Sequence, residues 1–233
     1  IAWDSGSDGK FFWQVADDGN AYGTSNAASS DYLGVWTHLA MVFDGGGSGN
    51  AGRLKAYING VEQTLSFTGT IPAQTDSNSA DFLMAKFSSN YYNGYIADVK
   101  IYNTNLGQTD IQTLASKINY PDILSTGTRH WWKINEGTGT AIEDHGAATD
   151  FDGTVTGATW KFDQFTTTLL PTMTEVDSLE VSSGVLDLDN RNYISLDGTD
   201  DVVKSSGSTD IMNDKDATLS FWYKGSSPGD GKT

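Results

Sequence analysis

Short apolar runs separated by turn-forming clusters make up most of the chain. Residues 11–15 and 36–43 are largely apolar, and each run leads into a cluster rich in Asp and Gly. Residues 53–58 alternate charged and apolar side chains before Asn59-Gly60. Because alternate side chains of a β-strand face opposite sides, this pattern indicates half-buried strands joined by tight turns.

The pair Asn59-Gly60 predicts a hairpin, because a two-residue turn of type I′ needs positive φ at both of its central positions. We expect residues 61–65 to form the return strand. A second such pair, Asn93-Gly94, lies between two tyrosines and a longer alternating stretch.

The alternating stretch at residues 95–102 is predicted to be a strand with two different faces. Strict alternation places four side chains on one face, namely Ile96, Asp98, Lys100 and Tyr102. The opposite face then carries Val99 and Ile101, behind the small Ala97.

One short helix is predicted at residues 109–116, with Thr109 as a capping residue and apolar side chains at three-residue spacing. The glycine-rich segment 44–50 is expected to be a flexible loop, and residues 165–183 an irregular segment or an insertion. Further strands are predicted at residues 129–134, 153–155, 193–196 and 218–223. So many strands with so little helix predict an all-β fold, an antiparallel sandwich or jelly roll.

Composition narrows the classes of partner and chemistry. The 233 residues suffice for one large β domain or two small ones. Lys and Arg number 14 and Asp and Glu 30, so the net charge is −16, which disfavours nucleic acid and anionic membranes as partners. No apolar run approaches the roughly 20 residues of a membrane span, so membrane insertion is not expected. The absence of cysteine excludes disulfides, thiolate zinc sites and cysteine nucleophiles.

Six segments carry motifs that occur together in one known superfamily. Residues 36–45 read W-T-H-L-A-M-V-F-D-G, residues 53–60 R-L-K-A-Y-I-N-G, and residues 92–102 Y-N-G-Y-I-A-D-V-K-I-Y. Residues 132–140, 196–203 and 219–224 add W-K-I-N-E-G-T-G-T, L-D-G-T-D-D-V-V and L-S-F-W-Y-K. Together they resemble the laminin G-like modules of the concanavalin A-like lectin/glucanase superfamily, which includes the pentraxins. The resemblance implies an all-β, antiparallel two-sheet jelly-roll sandwich with ligand binding at a rim.

The order of these segments is rotated relative to the family. Residues 1–118 resemble the C-terminal portion of a module and residues 119–233 its N-terminal portion, so that together they make one domain equivalent. Three interpretations stay open: a circularly permuted domain, one period of a tandem array, or a domain completed across subunits by swapping or strand addition. Each of them predicts that Thr233 lies beside Ile1 of the same chain or of a neighbour.

The resemblance implies a calcium site, because related modules often bind Ca²⁺ at a rim loop with an acid from the closing strand. The corresponding loop here runs over residues 144–153, without the inner Gly-Asn-Gly of the family, and Ala97 replaces one acid of the closing strand. Carboxylate and carbonyl oxygens suit this hard cation. The residues expected to bind it are Asp144, Asp150, Asp152 and Asp98. The alternative is a solvated acidic turn.

A catalytic alternative comes from Glu175, Asp177 and Glu180, which fit E-x-D-x-x-E and resemble the catalytic strand of concanavalin A-like β-glucanases. Glycoside hydrolysis with retention needs two carboxyl groups about 5 Å apart. Three acids within six residues also arise by chance in so acidic a chain. We therefore expect that the protein is not an enzyme.

Aromatic residues offer possible stacking surfaces for sugars or subunits. The candidates are Trp3, Trp13, Tyr91, Tyr92, Trp131 and Trp160. His38 is expected to be a packed strand residue, and Asp197, Asp200 and Asp201 a surface turn. The favoured hypothesis is a non-catalytic structural or adhesion module at a cell or virion surface, or otherwise extracellular, that self-associates into a homo-oligomer or fibre. A glycan ligand, including a calcium-dependent lectin activity, is the alternative.

Overall fold

The computed structural model describes residues 2–3, 9–15, 21–75, 81–87, 90–118, 129–147, 151–162, 192–205 and 216–226. Within these residues the chain forms eighteen β-strands, two α-helices and one 3₁₀ helix. Ile1, Thr233 and residues 163–191 lie outside them, so the predicted neighbourhood of the two chain ends and the interpretation of residues 165–183 stay predictions.

The strands of the first part of the chain are β1 (Ala2–Trp3), β2 (Lys10–Gln14), β3 (Tyr22–Ala28), β4 (Thr37–Asp44), β5 (Leu54–Ile58), β6 (Val61–Glu62), β7 (Leu65–Thr68), β8 (Phe82–Met84), β9 (Lys86–Phe87), β10 (Asn90–Tyr91) and β11 (Asn93–Tyr102). The later strands are β12 (His130–Trp132), β13 (Ala141–Ile142), β14 (Gly153–Thr156), β15 (Thr159–Phe162), β16 (Asn192–Asp197), β17 (Val202–Ser205) and β18 (Asp216–Gly225). The helices are the 3₁₀ turn Ser29–Tyr32, α1 (Gly49–Arg53) and α2 (Gln108–Leu114).

One long antiparallel sheet forms the first layer. Its strand order is β15-β16-β11-β18-β4-β5-β6, with β12 also paired to β11. The longest ladders join β18 to β11 and to β4. The predicted strands at 36–43, 193–196 and 218–223 are therefore confirmed as members of one sheet.

Two four-stranded sheets and a small hairpin complete the fold. The sheet orders are β1-β2-β3-β7 and β13-β14-β17-β8, and β9 pairs with β10. Buried side chains of the first, such as Phe11 and Trp13, pack against Met41 and Phe43 of β4. The second four-stranded sheet contributes Val203, among others, to the core that includes long-sheet side chains. We call the surface of the long sheet that packs against these two four-stranded sheets its inner face.

The outer face of the long sheet is covered at one end by α2. Ile111 and Leu114 of this helix pack on Val42, Tyr57 and Tyr102. The predicted helix is thus confirmed, but it begins one residue earlier than expected. Gly107 rather than Thr109 precedes its first turn, and the Asp110 carboxylate accepts a hydrogen bond from the Gly107 N–H.

The face assignment predicted for residues 95–102 is wrong for Ile96, which packs in the inner core, and for Ala97, which packs with Tyr193 and Trp222 on the outer face. Asp98 has a φ of +52°, and the pairing of β11 with β18 shifts register between Ala97 and Lys100. This β-bulge adds one residue on β11 and resets the alternation. Ile96 therefore joins Val99 and Ile101 in the inner core.

The loops differ from the predictions at three places. The turn Asn59-Gly60 has positive φ at both residues, as expected, but β6 is only two residues long and the chain then crosses to pair β7 with β3. Asn93-Gly94 lies within β11 rather than in a turn. The glycine-rich loop runs into the short helix α1, which the glycine content conceals from sequence analysis.

Strands from both halves of the chain alternate in space. β16 and β18, from the span 119–233, pair with β11 from the span 1–118. The two spans therefore contribute to one antiparallel jelly-roll sandwich. The assignment of each span to one end of a rotated module stays a prediction.

Candidate functional site

The predicted metal ligands Asp144 and Asp152 lie together at one rim. The Asp144 backbone N–H donates to Asp152 Oδ1 over 2.9 Å. The Asp144 carboxylate accepts from the backbone N–H groups of Trp131 and Gly146, and His130 Nδ1 donates to it over 2.6 Å. Both partners of the His130–Asp144 pair are buried, whereas Asp152 is exposed.

Asp98, the third predicted ligand, belongs to a separate group of contacts on the other side of Trp131. Its Oδ1 atom accepts from Lys100 Nζ at 2.6 Å and from Trp131 Nε1 at 2.7 Å. The Asp98 and Lys100 side chains are 2% and 1% exposed, so the carboxylate is balanced by a buried ammonium group. Trp131 connects the two groups, because its backbone N–H reaches Asp144 while its indole reaches Asp98.

These contacts define how well the rim fits a calcium ion. Ca²⁺ takes six to eight oxygen ligands, and a neighbouring ammonium group opposes it. Asp98 already faces Lys100, and Asp144 already faces His130, which leaves Asp152 as the exposed carboxylate of the described members. Asp150 lies outside the described residues. In this arrangement Asp98 and Asp144 do not fit the ion, whereas the exposed Asp152 does, and the predicted four-residue set stays a prediction.

A second acidic group lies in the loop between β16 and β17. Carboxylate oxygens of Asp197, Asp200 and Asp201 lie within 4.8 Å of one another. Asp197 and Asp200 are exposed, but Asp201 is buried and accepts a hydrogen bond from the Asp197 N–H. Burial raises the pKa of Asp201, the hydrogen bond lowers it, and the charges of Asp197 and Asp200 raise it. Two of the three residues thus match the predicted surface turn, and Asp201 does not.

His38 is buried in β4, as predicted. Its Nε2 lies 2.8 Å from Ser220 Oγ on β18. Burial lowers the pKa of His38 to about 3, and the positive charge of Lys100 adds to the effect. The pair resembles a nucleophile and base in distance alone, because His38 and Ser220 are 0% and 2% exposed and a substrate cannot reach them.

Glu175, Asp177 and Glu180 lie outside the described residues. The β-glucanase alternative therefore stays a hypothesis from sequence.

Most of the aromatic residues that were predicted to stack on a ligand contact other residues of the protein instead. Trp13 is fully buried, and Trp131 has the ammonium groups of both Lys100 and Lys133 within 5 Å of its ring. Trp160 donates its indole N–H to the Gly139 carbonyl. Tyr91 lies under Lys86, at 4.8 Å, and Tyr92 packs against the core. The side chain of Trp3 lies outside the described residues.

Sequence analysis missed a different aromatic group on the outer face, beyond the end covered by α2. We call it the aromatic cluster, and its members are Trp36, Tyr95, Tyr193 and Trp222. Tyr193 meets Trp36 and Tyr95 edge-on, with ring centroids 5.2 and 5.1 Å apart. Trp36 and Tyr95 are partly exposed. These residues come from three strands and a loop, so only the sheet register brings them together.

Comparison with known proteins agrees with this architecture. Two packed antiparallel layers with a helix on the outer face define a jelly-roll sandwich of lectin-like type. Residues 1–112 match the family model described as the concanavalin A-like lectin/glucanases superfamily, laminin G-like branch. This portion of the chain belongs to that superfamily, and the strands that follow complete the same jelly roll.

Neither the search of curated proteins nor that of solved structures found a match. No helix of the described residues is long and apolar enough to cross a bilayer.

Proposed function

We propose that the chain is a non-catalytic structural or adhesion module, extracellular or on a cell or virion surface, that self-associates into an oligomer or fibre. The superfamily also contains glycosidases, so the fold alone does not select this function. The proposal depends on what the described surface exposes and on how its acidic groups are used.

The observation that carries the proposal is the aromatic cluster on the outer face. Trp36 and Tyr95 stay partly exposed there, and the neighbouring Val35 is 57% exposed. Large apolar groups that remain together on the surface of so acidic a chain mark an interaction site.

The buried carboxylates at the rim are not placed to act as a glycosidase pair. A retaining glycosidase needs two carboxyl groups that reach the substrate. Asp98 and Asp144 are held instead by Lys100 and His130, below the surface.

Light scattering coupled to size exclusion, followed by negative-stain electron microscopy, tests the proposal. We expect oligomers or filaments whose mass rises with protein concentration and does not depend on added sugar. A monomer at every concentration would contradict self-association.

A calcium-dependent lectin is the second candidate, because the Asp152 carboxylate is exposed at the rim, where it accepts a hydrogen bond from the Asp144 N–H. Binding of Ca²⁺ there would raise the melting temperature, and chelator would reverse the rise and release the protein from a glycan array. Asp152→Asn is expected to remove the shift, and Asp200→Asn in the other acidic loop is the matched control. A shift that both variants keep, or that neither chelator nor variant changes, would contradict the rim site.

A further inference from the structure

We propose that the aromatic cluster pairs with the same face of a second copy of this chain, about a two-fold axis. The inference builds on the self-association proposed above and names the surface that forms one contact of the assembly.

The side chains around Tyr95 form three rows across the strands. In the central row Tyr95 lies opposite Ser195 on β16 and Lys224 on β18. The Lys224 ammonium group lies 5.6 Å from the Tyr95 ring centroid. Directly opposed residues of antiparallel strands share a face, so this row points outward with the aromatic cluster.

The rows on either side carry opposite charges. On one side Lys161 of β15 lies opposite Tyr193. On the other side Asp197 lies opposite Asn93, and the exposed Asp200 follows in the adjoining loop. Each outer row is two residues from the central one, or about 7 Å along the strands.

This arrangement is self-complementary. Consider a two-fold axis that lies in the interface plane and runs across the strands, along the Tyr95 row. Rotation about this axis places each outer row of one copy opposite the other outer row of its partner. It therefore brings Lys161 of each copy near Asp197 and Asp200 of the other and places the two Tyr95 rings together. Such an isologous contact uses the same patch on both subunits.

The local charges of this face favour a second copy as its partner. Although the whole chain has a net charge of −16, this face combines Lys161 and Lys224 with Asp197 and Asp200. A face with both signs in separate rows matches its own rotated image. The two oppositely charged rows also fix the register of the contact, because a shift of one copy along the strands would bring like charges together.

A charge swap tests the contact by sedimentation velocity on the full chain. Lys161→Glu and Asp200→Lys are each expected to raise the dissociation constant about tenfold or more, because each opposes like charges across the interface. The double variant is expected to restore the wild-type value. Lys55→Glu is the matched control, because Lys55 is an exposed lysine of the long sheet on β5, beyond the patch.

The aromatic contribution is tested with Tyr95→Ser. Its matched control is Tyr91→Ser, which removes another tyrosine that lies under a lysine. We expect the first substitution to weaken association and the second to leave it unchanged, with near-ultraviolet circular dichroism confirming the fold of both.

The results separate this inference from the proposed function. If the wild type associates but neither single charge variant weakens it, or if the double variant fails to recover, the named surface is wrong and self-association stands. If Tyr95→Ser loses retention on a glucan column while its association is unchanged, the face binds glycan and the inference is overturned. A monomeric wild type would overturn both.

Discussion

At the residue scale, His38 is a neutral member of a buried polar group. It has 0% exposure, contacts Ser220, and has a pKa lowered to about 3, first by burial and then by Lys100. An unfolded chain would protonate the same imidazole near pH 6.5. Between these two values the unfolded state therefore binds one more proton than the folded state.

The consequence is a defined loss of stability in acid. As pH falls from 6.5 towards 3, His38 is expected to lower the free energy of unfolding by about 1.4 kcal/mol per pH unit. His38→Gln keeps a hydrogen-bonding group but does not titrate. Urea unfolding of both proteins between pH 7 and pH 4 measures the difference between them, which should shrink as the pH falls. A constant difference would show that His38 does not account for acid sensitivity.

A second prediction at this scale concerns the buried Asp98–Lys100 pair. Asp98→Asn tolerates the positive φ of the bulge but removes the carboxylate that lies 2.6 Å from the buried Lys100 ammonium group. We expect a loss of about 3 kcal/mol in the free energy of unfolding, since breaking a buried pair on one side is costly.

The double variant Asp98→Asn with Lys100→Met is the control. It removes the buried ammonium group as well and should recover much of the stability, as measured by chemical unfolding. If the single and double variants are equally unstable, the loss comes from the bulge geometry rather than from charge.

At the element scale, β11 shows which features of a strand can be predicted from sequence patterns and which cannot. Alternation predicted the strand, and the motif resemblance predicted its place in the fold. The bulge at Asp98 could not be predicted from the sequence. The extra residue is stabilised by contacts with Lys100 and Trp131, and the neighbouring sequence looks the same as that of a regular strand. One added residue was enough to move Ile96 to the other face.

The candidate sites show the same limit for a different reason. The contact between Asp144 and Asp152 follows from a short loop and could be expected from sequence. The aromatic cluster depends on the register of β16, β11 and β18, which come from distant parts of the chain. Its members could not be chosen from spacing along the sequence.

The hairpin that joins β5 to β6 lies against helix α2, and this contact leads to a testable prediction. Gly60 has a φ of +75°, and a Cβ there would lie 3.1 Å from Gln112 Cα in α2. Gly60→Ala therefore combines backbone strain with a close contact. Gly34 has a similar φ of +69° and no atom within 4 Å of such a Cβ.

Comparison of the two alanine variants separates the two effects. Backbone strain alone should cost Gly34→Ala about 1 kcal/mol. Gly60→Ala should lose more, with a larger fall in melting temperature by calorimetry. Equal falls would mean that α2 moves away freely and does not hold the hairpin.

At the scale of the whole molecule, net charge opposes the proposed self-association. Two copies at −16 each repel one another over the Debye length, which is about 30 Å at 0.01 M salt and about 10 Å at 0.1 M. The contacts between Lys161 and Asp200 of the paired copies act over a few ångströms and are screened less. We therefore expect association to strengthen when sodium chloride rises from about 0.01 M to about 0.1 M, because the long-range repulsion is lost first. Sedimentation velocity over this range measures the change, and Lys55→Glu, which lies beyond the patch, should show the same trend. Association that weakens steadily from the lowest salt would mean that attraction between charges, and not apolar contact, holds the copies together.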